Sequence, residues 1–547
     1  MSKRRSFGDE NGSGDRRNKR RRNDSSGDFN AESSFEDKIE SLIVKIGEKS
    51  NNPLEENLKQ LADVFGDDLT KYKTKLLEFF CECVVELPEK TCIYSTLVGL
   101  LNVKNYKFGG EIVELLVAHF KEYLKTCKWE RARILVRFFG DLVNCHVISS
   151  GSLMSLFESL VDVTIEDNIP QTRSDFFVYS VLSALPLVGK ELYEKKEQDL
   201  EQLLNTIENY ISKRSKTHHT ALRVWYSDTP HPQEEYLDCL WAQISKLRSD
   251  KWIEKHINRP YLNLDAYLCE ALQHNLSQIQ IPPHDSSYIY PCPKVVFRLF
   301  DYTDCPEAHV LPGAHSIERY LIEEQMKLII DQNYFARKDC AIALLNIPGK
   351  QKIPLDYMLV EVILGEMFTL PQSKYLEICY GSLLLELCKL QPSTLPQVLA
   401  QAVELIFERL ETMNISCVDR FASWFAYHLS NFQFSWNWDD WSTCLSTDTL
   451  HPKQKFVRET LHRCVRLSYH QRIAELLPDS FQPLLPEPPV PVNKYIDEET
   501  STVPGVNFAK ALLTCFKEKS SPEEVLAALA DVPNPLQESE EGNVSIT

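Results

Sequence analysis

Side chains able to do chemistry are present in this sequence, but none falls at a spacing that would assemble a catalytic centre. Two carboxylate pairs, Glu234-Glu235 and Asp439-Asp440, are adjacent in sequence. Neighbours on a helix point to different sides, whereas acid and base catalysis needs two carboxyls converging on one substrate. Both pairs read as solvated or bonded to nearby basic groups. His218-His219 follows the basic helix end Lys213-Arg214-Ser215-Lys216 and reads as a surface turn rather than a metal pair. Gly189-Lys190 and Gly349-Lys350 lack the upstream glycine of a phosphate-cradling loop, and HExxH, GxSxG and GxGxxG are absent. The 16 cysteines include no CxxC, and Cys81 and Cys83 have no matching second pair or histidine cluster. No catalytic residue, metal site or cofactor is expected, and the thiols read as small buried hydrophobes of an intracellular chain.

What stands out instead is an aromatic block. Between Cys417 and Trp441 lie four of the eight tryptophans. Phe421, Trp424, Phe425 and Leu429 recur at three- and four-residue steps, which predicts one face of a helix starting near Val418. After Asn431, the every-second-residue order of Phe432, Phe434, Trp436 and Trp438 predicts a loop or short extended segment. Large aromatics mostly bury area, and they also anchor interfaces. Phe421, Trp424, Trp436, Trp438 and Trp441 are therefore candidates for either a helical core or a partner surface.

The elements that would position this block are helices. With only 18 glycines, 43% hydrophobic and 25% charged residues, and few alternating β-branched runs, the chain reads as all-α. Phe35, Ile39, Leu42, Ile43 and Ile46 share one helical face, and Leu54, Leu58, Leu61 and Phe65 repeat it after Asn52-Pro53. Helix-length segments follow near 72–86, 91–102, 110–126, 130–145, 151–163, 173–186 and 197–213. Brief turns between them predict an α-solenoid of HEAT-like helical hairpins. A first helical-repeat domain is expected over 34–276, a proline-rich ordered linker over 277–315, and a second array over 316–477. A second proline-rich linker over 478–504 would lead to two helices of a third array and an acidic tail, over 505–547. No apolar run reaches the length of a membrane span.

Charge is unevenly placed. The formal net charge is −18, yet residues 1–27 hold nine Lys or Arg against four Asp or Glu, leaving 51 basic and 74 acidic side chains in the remainder. An acidic body disfavours a broad nucleic-acid footprint unless basic residues cluster locally, so RNA contact is expected to be mostly indirect. Residues 1–33 are too poor in apolar side chains to repay ordering. Within them, Lys3, Arg4 and Arg5, then Arg16, Arg17, Lys19, Arg20, Arg21 and Arg22, form two cationic clusters ten residues apart. That arrangement resembles a bipartite nuclear localisation signal able to occupy two acidic pockets of an import adaptor; the plainer reading is a nonspecific polyanion-binding tail.

The block DRF..WF..HLSNFQF.W.W.DW (residues 419–441) resembles the large subunits of nuclear cap-binding complexes. Further runs carry the same resemblance in order, among them NYKFGGE at Asn105, PHPQEEYLDCLWAQI at Pro230, FRLFDYTD at Phe297, LCKLQPSTLPQVLAQA at Leu387 and RLSYHQRI at Arg466. The resemblance implies three domains like the middle domain of translation initiation factor four-G. It also implies a non-enzymatic nuclear scaffold, shuttling to the cytoplasm, that holds and orders an RRM-type small subunit carrying the methylguanosine cap. Capped RNA would be reached through that subunit, and splicing, export, silencing, decay and translation factors through the scaffold. Because the sequence stops at Thr547, the third domain is expected to be incomplete, which would bear on small-subunit binding. Another helical-repeat scaffold and a direct RNA-binding module are the alternatives.

Overall fold

The computed structural model describes residues 40–48, 52–306, 309–490 and 505–530. The two basic clusters at Lys3–Arg5 and Arg16–Arg22, and the acidic stretch beyond residue 530, lie outside them. Two compact units part between His428 and Leu429.

In the first unit the chain is helical, and its first six helices succeed one another through short connections before a longer one leads to the seventh: α1 (Leu54–Glu86), α2 (Thr91–Lys104), α3 (Tyr106–Lys125), α4 (Trp129–Asn144), α5 (Ser150–Val161), α6 (Gln171–Lys213) and α7 (Tyr236–Ser249). Local chemistry sets several of the boundaries. Asn105 caps α3 by accepting from the Phe108 amide at 3.1 Å, and Ser149 caps α5 through Ser152 at 3.3 Å. The two helices expected from Leu54 and near residue 72 are one continuous α1, which runs through Gly66 without a break and contains no proline. Conversely, the expected break after Pro186 falls ten residues later, at Lys196, whose backbone leaves helical geometry (φ −143°, ψ 42°). Carbonyls near Pro186 are satisfied from outside: Arg259 donates to the Pro186 and Leu187 oxygens at 2.9 and 2.8 Å. α6 also corrects the expectation about apolar runs. It contains an 18-residue stretch long and apolar enough to cross a bilayer, but 78% of that stretch is buried inside the fold, as befits a central core helix.

Residues 277–300 run without helix and are tied at intervals. Glu235 and Val295 form an antiparallel bridge, with the Tyr236 amide donating to Lys294 O and the Val296 amide to Glu234 O, both at 2.8 Å. Helices resume with α8 (Ile317–Asn333), α9 (Arg337–Leu345), α10 (Leu355–Phe368), α11 (Glu377–Leu390), α12 (Leu395–Glu408) and α13 (Ile415–Asn431), in which the first unit ends. Two glycines allow close approach. At Gly189 on α6 a Cβ would sit 2.2 Å from the Trp252 ring, and at Gly365 on α10 it would meet the Phe297 Cβ at 2.9 Å. The second unit holds a 3₁₀ turn over Trp438–Ser446, α14 (Pro452–Leu467), α15 (His470–Leu476), and the pair α16 (Val506–Glu518) and α17 (Pro522–Ala530). Among the described residues there is no β-strand, only isolated bridges.

Candidate functional site

The aromatic block divides between the two units. In the first, α13 begins at Ile415, three residues before the expected start. Asn414 accepts from the Ser416 amide at 3.0 Å. Phe421 (0% exposed) and Trp424 (1%) are core residues. They stack 6.0 Å apart at 18°, and they end an aromatic ladder: Trp225 on Phe297 at 5.1 Å, Phe297 on Phe368 at 5.8 Å, Phe368 on Phe421 at 6.3 Å. This ladder links the loop before α7, the non-helical segment, α10 and α13. Beside it the Tyr226 amide donates to Thr412 O at 2.8 Å and the Asn414 amide to Val224 O at 2.7 Å. Arg420 donates to the carbonyls of Thr369 and Pro371 at 2.7 and 2.8 Å. His428, near the end of α13, is held neutral by burial, which lowers its pKa to about 4.

In the second unit, of the loop or short extended segment expected, the chain forms the loop, as a tight turn. Gln433 and Phe434 both adopt left-handed backbone (φ 57° and 60°), and the Phe434 amide closes on Leu429 O at 2.7 Å. The alternation of Phe432 to Trp438 therefore marks a reversal rather than a pleat. Trp438 and Trp441 are buried (4% and 1% exposed) and meet edge to face at 5.7 Å, with Trp438 also 5.9 Å from Phe481 and Trp441 6.0 Å from Phe456. Trp436 is half-buried, 5.4 Å from Trp441. Asp439 and Asp440 are exposed, and Asp440 accepts from Asn437 at 2.7 Å.

Sequence reasoning missed a set of buried ion pairs, because most of the partners are far apart in the chain and the local pair, Arg319 with Glu323, has the spacing of an ordinary surface pair on a helix. Arg319 of α8 donates to Glu323 at 2.6 Å and to Glu361 of α10; Glu361 also accepts from the Leu299 and Phe300 amides at 2.8 and 3.1 Å. Burial alone would raise the Glu361 carboxyl, but Arg319 and Arg298 overcome it and hold the group below the usual carboxylate range. Arg133 of α4 pairs with Glu324 of α8, and there too the neighbouring guanidiniums outweigh desolvation and keep the carboxylate ionised. Arg214 spans Asp175 (2.7 Å) and Glu235 (2.6 Å), with His218 3.2 Å from Glu235. Glu235 is thus a buried ion-pair partner, while Glu234 meets His315 at 2.8 Å. His218 and His219 are half-buried rather than a free surface turn, His219 meeting Gln233 O at 2.5 Å.

A cavity of about 260 Å³ lies among α4, α6, α8, α10 and residues 291–298. Of its cationic lining residues, Arg133, Arg298, Lys327 and Lys374 are paired with Glu324, Glu323, Glu366 and Asp331, and Lys294 also lines it. No group of three or more His, Cys, Asp or Glu residues could hold a metal among the described residues. Burial pushes the thiols of Cys81, Cys83, Cys340 and Cys417 up to about 12, away from nucleophilic thiolate. Such an arrangement can hold shape and present surface.

Stacked helices locked by buried ion pairs and an aromatic ladder define a helical-repeat scaffold. The MIF4G domain family matches residues 36–248, and a MIF4G-like family matches residues 314–479. Among curated proteins, the chain is 54% identical over 541 residues to "Nuclear cap-binding protein subunit 1" of Aedes aegypti, covering 97% of this chain and 66% of that protein. It is likewise 54% identical over 534 residues to the protein of the same name from Anopheles gambiae, covering 98% and 66%. The chain belongs to the family of nuclear cap-binding protein subunit 1, and it spans 66% of the length of these relatives.

Proposed function

We propose that this chain is a non-enzymatic scaffold of a nuclear cap-binding complex, which binds and orders an RRM-type small subunit that itself holds the 5′ methylguanosine cap. The observation that carries this reading is the 54% identity maintained over 97% of the chain with relatives named as a cap-binding subunit. The paired interior of the first unit supports it: a body whose helices are fixed before binding can meet part of the ordering penalty of a mobile partner. Capped RNA then reaches this chain indirectly, and splicing, export, decay and translation factors are recruited to the outer helical surface. Within this scheme residues 34–276 and 316–477 act as two helical arrays. Residues 505–547 begin a third, and 277–315 and 478–504 act as linkers. The two basic clusters between Lys3 and Arg22 recruit an import adaptor and place the protein in the nucleus, from which it shuttles.

The test is retention on immobilised methylguanosine cap. The chain and a small cap-binding subunit are mixed and compared with the subunit alone, and with a version of this chain extended by the further residues found in the longer relatives. Retention of both chains in a subunit-dependent way supports the proposal. Retention of neither chain with a subunit that itself binds cap overturns it. Retention of the extended version alone assigns small-subunit binding to sequence beyond Thr547. For import, a reporter fused to residues 1–33 should be nuclear, and alanine at Arg16, Arg17 and Lys19–Arg22 should leave it evenly distributed.

A further inference from the structure

The sequence carries a net charge of −18, yet one helix of the second unit is strongly cationic. α14 buries Phe456, Val457, Thr460, Leu461, Cys464 and Val465. Its opposite face carries Lys455, Arg458, His462 and Arg466 at steps of three, four and four residues, all exposed. At the helical rise, Lys455 to Arg466 spans about 16 Å. No ion pair holds any of these four among the described residues, and the one carboxylate on this face, Glu459, is taken by Arg463 at 2.9 Å. The stripe continues into α15, where Arg472 is exposed and sits 5.6 Å over the Phe434 ring, and between the two helices Tyr469 projects with 60% of its surface exposed.

We propose that this face of α14, with Arg472 and Tyr469, is a secondary binding surface for single-stranded RNA, the cations tracking phosphates and the tyrosine stacking on a base. Two features favour RNA over an acidic protein segment. Free cations aligned over several phosphates combine with an exposed ring at the end of the stripe, the pairing that single-stranded nucleic acid requires. The surrounding acidic body repels polyanions elsewhere and so concentrates them here. The choice of RNA as ligand rests on the cap-binding reading; the charge geometry does not. On that reading the surface engages the transcript downstream of the cap, making the expected indirect RNA contact partly direct.

The experiment uses the full chain without a small subunit and an uncapped, fluorescent 20-nucleotide uridine oligomer, titrated between 50 and 200 mM salt. Leaving out cap and subunit separates failure of this proposal from failure of the scaffold reading. Wild type should bind with affinity that falls as salt rises. The variant K455A/R458A/R466A should lower the slope of log K against log [salt] by about 2, at about 0.7 per neutralised phosphate on single strands. Y469A should weaken binding about fivefold or more at unchanged slope. R458K/R466K keeps the charge and should retain the wild-type slope, and unchanged circular dichroism shows that the variants fold. No binding at 50 mM salt, or an unchanged slope in the triple variant, overturns the proposal. So does equally tight binding of a poly-glutamate peptide with the same residue dependence, which would make this an acidic-protein surface.

Discussion

Five aromatic residues were open in the sequence to a core or an interface role, the core being the plainer reading, and burial separates them. Phe421, Trp424, Trp438 and Trp441 have no more than 4% of their surface exposed, whereas Trp436 remains half-buried. Trp441→Ala should therefore lower stability by about 3–5 kcal/mol, as expected for emptying a site of that volume. A denaturant titration followed by circular dichroism measures it. Trp436→Ala should cost about 1 kcal/mol at most in the same titration. If Trp436 is an anchor, its loss should weaken small-subunit binding about thirtyfold in a pull-down titration, the scale of an interface hot spot. His428 has a sharper signature. Its pKa is about 4 in the fold against 6.5 in the open chain, so between those values the unfolded state binds the extra proton. Stability must then rise with pH across pH 4 to 6.5, by about 3 kcal/mol. In His428→Gln the urea midpoint should be flatter over that window; an unchanged slope would show that burial of this ring does not control it.

Among the elements, periodicity made many helices of the first unit legible, because they bury one face and show the other, whereas α2 and α10 are buried nearly all round. Boundaries were less legible where the deciding contact is distant. Pro186 looked like a helix end, but the helix runs through it to Lys196, and Arg259, 73 residues away, packs against it by donating to the Pro186 oxygen. The alternating aromatics after Asn431 looked extended, but two left-handed residues fold them into a turn. The buried ion pairs left no trace in the sequence at all, since nothing local distinguishes Arg319 from a surface arginine. Removing it tests how much the non-helical segment depends on α10: Arg319→Met leaves Glu323 and Glu361 with a cation fewer inside the protein and should cost about 3–5 kcal/mol. A similar argument applies to close approach. Gly189→Ala drives a methyl into the Trp252 ring and should cost about 1–3 kcal/mol, read as a lower midpoint of thermal unfolding.

At the scale of the whole molecule, the first unit joins buried ion pairs to an extensive apolar core. The carboxylates of Glu235, Glu361 and Glu366 all lie below their ordinary value of 4.5 because, although burial opposes ionisation, adjacent cations overcome it. Their contribution is complete above that value and disappears as pH falls through the lower folded-state values, so acid unfolding of the first unit should be steep below about pH 4.5. Intrinsic fluorescence against pH checks this, and Glu361→Gln should make the transition shallower. The pairing of Arg133 with Glu324 has one more consequence, which concerns time. The partners are 191 residues apart. At ribosomal rates of 5–20 residues per second, Arg133 leaves the ribosome roughly 10–40 s before its carboxylate does. Through that interval Arg133 has only Glu130 of its own helix as an ion-pair partner and lacks its buried one, so the first unit is completed late in synthesis, and translation arrested before Glu324 should leave a nascent chain with an open, protease-sensitive flank.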